Sequence, residues 1–410
     1  MQQGHFLEQI IASFSSRFFM KDFVLLNPKY FRAGHEKELA DLLLLLNDTC
    51  IVISVKGTNE KPKSETKLKS WLTKRTLEGS KQAKGGFNWL SKVSFKAQDL
   101  WGETKEFEPN SLRPLCGIVL LECSQQPFGS IEFNIQQPQS NIPLHFLSLN
   151  DFLNVINCLG SIWDVFDYFS KRADIRHIFT GINQEQPVLA YYTLRSKDLS
   201  RLVTEDKAEL CVSHTLHLFD NLAQYEERER LAGYVNAIVH ELHTRNPLIE
   251  EYIPAELKGC IDPPDKRIAY LKMAAMLNAL PISNKVWIGR EIKSHLGNLR
   301  GSGKAGCFAF KRVRTEVVFV FAFFSKLSRT ERIRDIQKML PAALYQYQVT
   351  EGLAVAFDAD DSKTGFDLIW IRDYRNFSED DRRLGEYLFP QPTETLVADT
   401  FGRARAYRTE

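Results

Sequence analysis

The stretch that decides the fold is residues 38–56, ELADLLLLLNDTCIVISVK. Its first apolar run, Leu42–Leu46, is too short for an ordinary globular helix and stops at the turn pair Asn47-Asp48. The second, residues 50–55, is rich in β-branched side chains, as buried strands are. The two runs read as neighbouring strands joined by a tight turn. Polar residues break the apolar block at fixed places. Asp41 opens the first strand, and Ser54 and Lys56, two residues apart, close the second on one sheet face. A carboxylate and an ammonium at the ends of buried strands are costly unless they pair or are used. Asp41 and Lys56 are therefore predicted to meet on adjacent strands, with their charged ends within about 6 Å.

Upstream, residues 6–19 place Phe6, Ile10, Phe14 and Phe18 at helical spacing, and residues 22–31 form an extended stretch broken at Asn27-Pro28. Downstream, a polar loop at 57–66 leads to a helix over residues 68 to about 95. Leu68, Trp71, Leu72 and Leu90 face its core, and Gly85-Gly86 break or kink it. Residues 115–123, LCGIVLLEC, read as another buried strand. Polar residues 125–140 hold one short strand at 130–135. Residues 144–149 then lead into a helical stripe running to Phe169, with Asp151 as its N-cap.

Residues 185–300 read as mostly helical. The last part is a ββαββα unit, with strands at 305–310, 316–324, 353–357 and 366–371. Its first helix, 330–344, opens at Ser328 or Thr330 near Glu331, and its second, 378–388, carries the capping box Ser378 to Asp381. The expected class is a multidomain α/β and α+β chain, divided at 1–145, 146–300 and 301–410.

A chain of 410 residues is too long for one typical core and suits two or three domains. Its 44% hydrophobic and 25% charged residues are those of a soluble globular protein, and a net charge of +2 singles out no partner. No secretory signal is expected, and the longest apolar run, 317–324, is too short to span a bilayer, so no membrane partner is expected. The 7 cysteines are scattered and never form Cys-x-x-Cys. They point to a reducing compartment, the cytoplasm, and away from a structural zinc site. Charge is uneven along the chain. The helix after Lys56 carries Lys67, Lys69, Lys74, Arg75, Lys81 and Lys84 against Glu65 and Glu78. Lys74, Arg75, Lys81 and Lys84 are candidate contacts to a phosphate backbone, the alternative being a solvated helix face.

The pattern Asp41-x(12)-Ser54-x-Lys56, in the order helix, three extended segments, helix, strand, resembles the core of the PD-(D/E)XK, or restriction-endonuclease-like, nuclease superfamily. The likeness covers roughly the first 125 residues and is nearest the Mrr-like and NERD-like group. It implies an αβββαβ core in which an Asp and a Glu-x-Lys converge on Mg2+ or Mn2+. By the same resemblance the metal is held by Asp41, the Val55 carbonyl and a further acid. Glu38 is preferred for that acid, with Glu36 and Glu8 as alternatives. Lys56 would orient or deprotonate the attacking water. Gln82 lies near the place where related nucleases carry a Gln facing the site, the alternative being a surface residue. Ser54 departs from the Glu, Asp or Gln usual there and brings no charge.

Two functions follow from the resemblance. One is a metal-dependent nuclease acting on nucleic acid, DNA foremost, in bacterial restriction or antiviral defence. The other is an inactive nuclease-fold scaffold or nucleic-acid-binding subunit of a larger assembly, in which Asp41 and Lys56 are a structural pair. The C-terminal unit is expected to serve a homo-oligomer or a protein partner.

Other motifs carry less. GNLRGSGKA, residues 297–305, has glycines one residue too far apart for a phosphate loop, and Ala305 stands where Ser or Thr would hold magnesium, so it reads as a flexible turn. The His240 and His243 of HELH lack the HExxH spacing, and Asp358, Asp360 and Asp361 read as a solvated turn rather than a calcium loop.

Overall fold

The computed structural model describes residues 7, 9–11, 13–14, 20–60, 64–123, 142–175, 185–194, 199, 202, 207–244, 266–311, 317–360, 366–390, 397–398 and 404–405. They fall into two compact units, Met1–Leu222 with Asn278–Pro281, and Ala223–Leu277 with Ile282–Glu410.

After helical residues around Ile10 and Phe14, the first unit runs through four strands: β1 (Val24–Arg32), β2 (His35–Glu38), β3 (Leu42–Leu46) and β4 (Thr49–Thr58). The helix α1 (Glu65–Leu90) follows, then β5 (Phe95–Asp99), β6 (Thr104–Phe107), β7 (Arg113–Cys123) and β8 (Leu144–Ser148). Four helices close it: α2 (Leu149–Leu159), α3 (Ile162–Arg172), α4 (Glu185–Leu194) and α5 (Lys207–Asp220). The strands form one mixed eight-stranded sheet in the order β6-β5-β1-β3-β4-β7-β8, with β2 beside β1. β1, β3 and β4 are antiparallel neighbours, whereas β4, β7 and β8 run parallel. The β3–β4 turn places Asn47 at φ 56°, a left-handed conformation that Asn tolerates.

Helices cover both faces of this sheet. On one, Leu68, Leu72, Ala83 and Phe87 of α1 pack on Leu43, Cys50, Val52 and Val119. On the other, Phe152, Val165, Phe169 and Val188 of α2, α3 and α4, with helical Ile10 and Phe14, pack on Leu44, Ile51, Ile53 and Ile118. Strands buried on both faces carry continuous apolar runs instead of alternating ones, which is why LLLLL and CIVISV are unbroken.

Several elements depart from the sequence expectation. β1 runs straight through Asn27-Pro28, absorbing it as a register shift between Leu26 and Lys29 with Asn27 at φ 44°. α1 is continuous through Gly85-Gly86 and ends at Leu90, and a β5–β6 hairpin fills the segment before β7. Its glycines serve close approach to the sheet. A Cβ on Gly79 would lie 2.4 Å from Val119 Cγ1, and one on Gly86 would lie 3.1 Å from the Leu39 carbonyl. The N-cap of α2 is Ser148, whose Oγ accepts from the Asp151 N–H at 3.0 Å, so Asp151 is the third helical residue and not the cap. In place of an end near 145, the first unit continues through β8 and α2–α5, because β8 extends the sheet and α2–α4 supply its second cover. The strand expected at 130–135 lies outside the described residues, as do Glu8 and Asp361.

The second unit holds α6 (Leu222–Thr244), α7 (Lys266–Asn278) and α8 (Ile282–Leu299), then β9 (Ala305–Lys311), β10 (Val317–Phe324), α9 (Arg329–Tyr347), β11 (Glu351–Asp358), β12 (Phe366–Ile371) and α10 (Glu379–Leu388). The four strands form a sheet in the order β12-β11-β10-β9, with a parallel central pair joined through α9 and antiparallel edges. α9 packs on Val318, Val320 and Ala354. On the opposite face Trp287 and His295 of α8 meet Phe308, Phe310 and Phe323. The two capping boxes stand at Ser328–Glu331 and Ser378–Asp381. No helix among the described residues is long and apolar enough to cross a membrane.

Candidate active site

The candidate site lies where β2 gives way to β3 and where β4 passes beneath α1. In an unbroken strand, residues 38 and 41 would face opposite sides of the sheet. Here β1 pairs with β2 over Lys29–Arg32 and with β3 over Val24–Leu26, and residues 39–41 between them leave the ladder. The bulge of β1 matches this break. Leu39 N–H donates to the Pro28 carbonyl at 2.7 Å, and Asn27 N–H to the Asp41 carbonyl at 3.3 Å. The kink sets the Glu38 carboxyl beside that of Asp41, near enough for the Asp41 charge to act on it.

β4 supplies the other half. Asp41 Oδ2 accepts from the Val55 N–H at 2.7 Å, which fixes the carboxylate on the neighbouring strand. Lys56 Nζ stands 3.6 Å from the same oxygen and donates to the Val55 carbonyl at 3.0 Å and to Gln82 Oε1 at 2.6 Å. Ser54 Oγ donates to that Gln82 oxygen at 2.7 Å. Because lysine has only donors, the amide of Gln82 must point its oxygen inward. Asp41, Ser54 and Lys56 are all buried, at 4%, 0% and 8% exposure, so their charges and dipoles act in a poorly screened setting. Although the residue as a whole is exposed, partial burial of the Glu38 carboxyl comes first and the neighbouring Asp41 second in pushing it above its ordinary value, and Lys56 and Lys29 oppose that rise.

The structure thus gathers Glu38, Asp41, Ser54, Val55, Lys56 and Gln82 in one place. Gln82 faces the site and is not a surface residue. Glu36 is drawn away, to Lys29 at 2.8 Å. The basic helix divides. Lys74 and Lys81, seven residues or about 10 Å apart along α1, are exposed. Arg75 is paired with Glu78 at 2.6 Å, and Lys84 is half-buried.

Among the described residues no group of three or more His, Cys, Asp and Glu side chains is placed to hold a metal ion. The oxygens at this site come instead from two carboxylates and a backbone carbonyl. Such hard donors match magnesium or manganese, so the donor set fits the divalent ion that the resemblance implies. The Val55 amide, which positions Asp41, has no signature in a sequence. The kink does leave one, in Asn27-Pro28 on the opposing strand.

Elsewhere, Gly301 and Gly303 both adopt φ 69°, and Asp360 closes their loop by accepting from Gly301 N–H and Lys326 N–H, each at 2.6 Å, and from Ser325 Oγ at 2.9 Å. Asp358 accepts from Arg332 at 2.7 Å. Both carboxylates have structural partners. Comparison with protein-family models, with curated proteins and with solved structures finds no match.

Proposed function

We propose that the first unit is a metal-dependent phosphodiesterase of the restriction-endonuclease-like kind, acting on nucleic acid and on DNA foremost. The observation that carries the reading is the convergence of Glu38, Asp41, the Val55 carbonyl and Lys56 at one end of the β3–β4 pair. Support comes from the antiparallel β1-β3-β4 neighbours, followed by α1 and a β7 parallel to β4. Asp41, Glu38 and the Val55 carbonyl would hold Mg2+ or Mn2+, which when bound polarises a phosphoryl oxygen and lowers the pKa of a water. Lys56 stabilises negative charge building on the phosphate and orients the attacking water. The Val55 N–H keeps Asp41 in register, and Gln82 keeps Lys56 from swinging to solvent. Exposed Lys74 and Lys81 on α1 attract the phosphate backbone, with Arg75 and Lys84 in supporting positions beside them.

One observation favours a second reading. Ser54, Gln82, Lys56 and Asp41 already satisfy one another without a ligand, as they would in a nuclease-like fold kept for binding or assembly. The test is cleavage of single- and double-stranded DNA and RNA in magnesium and in manganese. Cleavage that Ser54→Glu preserves or strengthens supports the nuclease. Inert wild type and inert Ser54→Glu, both still binding the same partner, support the scaffold.

A further inference from the structure

Lys56 Nζ is surrounded by oxygens of three origins: the Val55 carbonyl at 3.0 Å, Gln82 Oε1 at 2.6 Å and Asp41 Oδ2 at 3.6 Å. The ammonium donates to two of them, Val55 O and Gln82 Oε1, and stands against the third, Asp41 Oδ2, as an ion pair. Two of them, Val55 O and Asp41 Oδ2, belong to the donor set that fits a divalent ion. A hard cation and an ammonium that draw on the same lone pairs exclude one another, by contact and by like charge.

We infer that Lys56 is the built-in occupant of this cation position, latched there by Gln82, and that a divalent ion binds only by displacing its ammonium. This inference rests on the nuclease reading of the same site and adds its regulation. The cause lies at residue 54. A carboxylate there would accept a hydrogen bond from Lys56 and leave the Val55 carbonyl clear. The serine hydroxyl donates instead, to Gln82 Oε1, and so turns the amide oxygen toward Lys56. Gln82 reaches the strand from α1, which the glycines at 79 and 86 let lie close against the sheet. The lysine is held at 8% exposure from two sides, by its own strand and by the helix.

The consequence runs against the usual expectation for a residue at a metal site, because removing Lys56 strengthens ion binding. The experiment measures Mn2+ affinity of the full chain, without nucleic acid, by the electron paramagnetic resonance signal of free Mn2+. Lys56→Met keeps the length and apolar stem of the side chain and removes the ammonium. Charge-assisted hydrogen bonds of this kind make its affinity about tenfold higher than wild type. Gln82→Met loosens the latch but keeps the charge, and tightens binding by a smaller factor, about threefold. Adding Asp41→Asn to Lys56→Met abolishes the gain.

The inference is overturned if Lys56→Met and Gln82→Met, each folded by circular dichroism, bind Mn2+ no better than wild type, or if the gain survives Asp41→Asn. Cleavage assays on the same samples separate this from the function proposed above. Asp41-dependent cleavage by wild type without any gain in Lys56→Met removes the latch and keeps the nuclease. An Asp41-dependent gain in Lys56→Met, with no cleavage of any substrate by wild type, keeps the latch and removes the nuclease.

Discussion

Replacing Gly79 by alanine should destabilise the first unit, whereas the same change at Gly85, six residues on in the same helix, should stabilise it. At Gly79 the new Cβ would stand 2.4 Å from Val119 Cγ1 and 3.1 Å from Cγ2, where carbon atoms prefer 3.5–4.0 Å, so about 1 Å of separation has to be found. Val119 cannot supply it. The residue is fully buried, stiff at its β-branch, and held in the sheet between Ser54 on β4 and Phe146 on β8. The helix must lift, and overpacking of this kind costs about 1–3 kcal/mol. Alanine gains back about 1 kcal/mol over glycine in a helix interior, which leaves Gly79→Ala about 0–2 kcal/mol less stable. A Cβ on Gly85 meets nothing within 4 Å, so only the gain of about 1 kcal/mol remains. The propensity gain cancels between the two variants, and their difference of about 1–3 kcal/mol isolates the helix–sheet clash. Urea unfolding followed by far-UV circular dichroism reads it as midpoints shifted in opposite directions at constant m. Equal shifts, or a Gly79→Ala more stable than Gly85→Ala, would refute the close approach of α1 on which the placement of Gln82 depends.

Glu185→Gln should destabilise the first unit by about 3–5 kcal/mol, because Arg172 and Glu185, both 2% exposed and paired at 3.0 Å, lose their charge pairing, and the one amide oxygen left must serve both Arg172 and Tyr168; the urea midpoint measures it. The Gly301 N–H, then Ser325 and the Lys326 N–H, hold the Asp360 carboxyl below its ordinary 3.8. A depressed carboxylate contributes stability that is fully present above that ordinary value and is lost as pH falls through the lower folded one, so Asp360→Asn should melt earlier than wild type at neutral pH, close the gap as pH falls under 3.8, and draw level only below the lower folded value; thermal unfolding across a pH series checks both ends. Lys74→Glu with Lys81→Glu should weaken DNA binding on every sequence alike and reduce the salt slope by about 2, one for each lost phosphate contact; an unchanged slope in a filter-binding titration would assign that face to solvent.

The sequence made the β3–β4 pair legible because its signal is strong and local. Two apolar runs separated by Asn47-Asp48 allow few other folds, and burial on both faces keeps the runs continuous. The capping box at Ser378 was equally readable, since four residues contain the whole device, whereas Ser328 and Thr330 stood as alternatives until backbone geometry selected Ser328. The meeting of Asp41 with Lys56 followed from the pairing of their strands. Other elements gave no such signal. β2 is HEKE, exposed at every position, and no apolar periodicity marks it. β5 alternates correctly as FKAQD but is short and continues a run already read as helix. Gly85-Gly86 suggested a break because helix propensity penalises glycine, whereas the tertiary contact of Gly86 with Leu39 and Val52 requires one there. Ser148 and Asp151 are both good caps by composition, and only backbone geometry selects Ser148. The extent of the first unit was hidden for a similar reason. Helices that cover a sheet look in sequence like helices of a separate domain, and it is the shared core with Phe152 and Phe169 that joins them to β3 and β4.

The most direct test of the central claim is the single-turnover rate of phosphodiester cleavage by Asp41→Ala beside wild type, at saturating Mn2+ on the substrate that wild type cleaves fastest. Asp41 lies at the junction of the site, within reach of Glu38, the Val55 N–H and Lys56. Its loss should abolish cleavage while the chain stays folded, and Lys56→Ala should retain at most about one hundredth of the wild-type rate. A wild-type chain that cleaves at the same rate with and without Asp41 would contradict the assignment of this site.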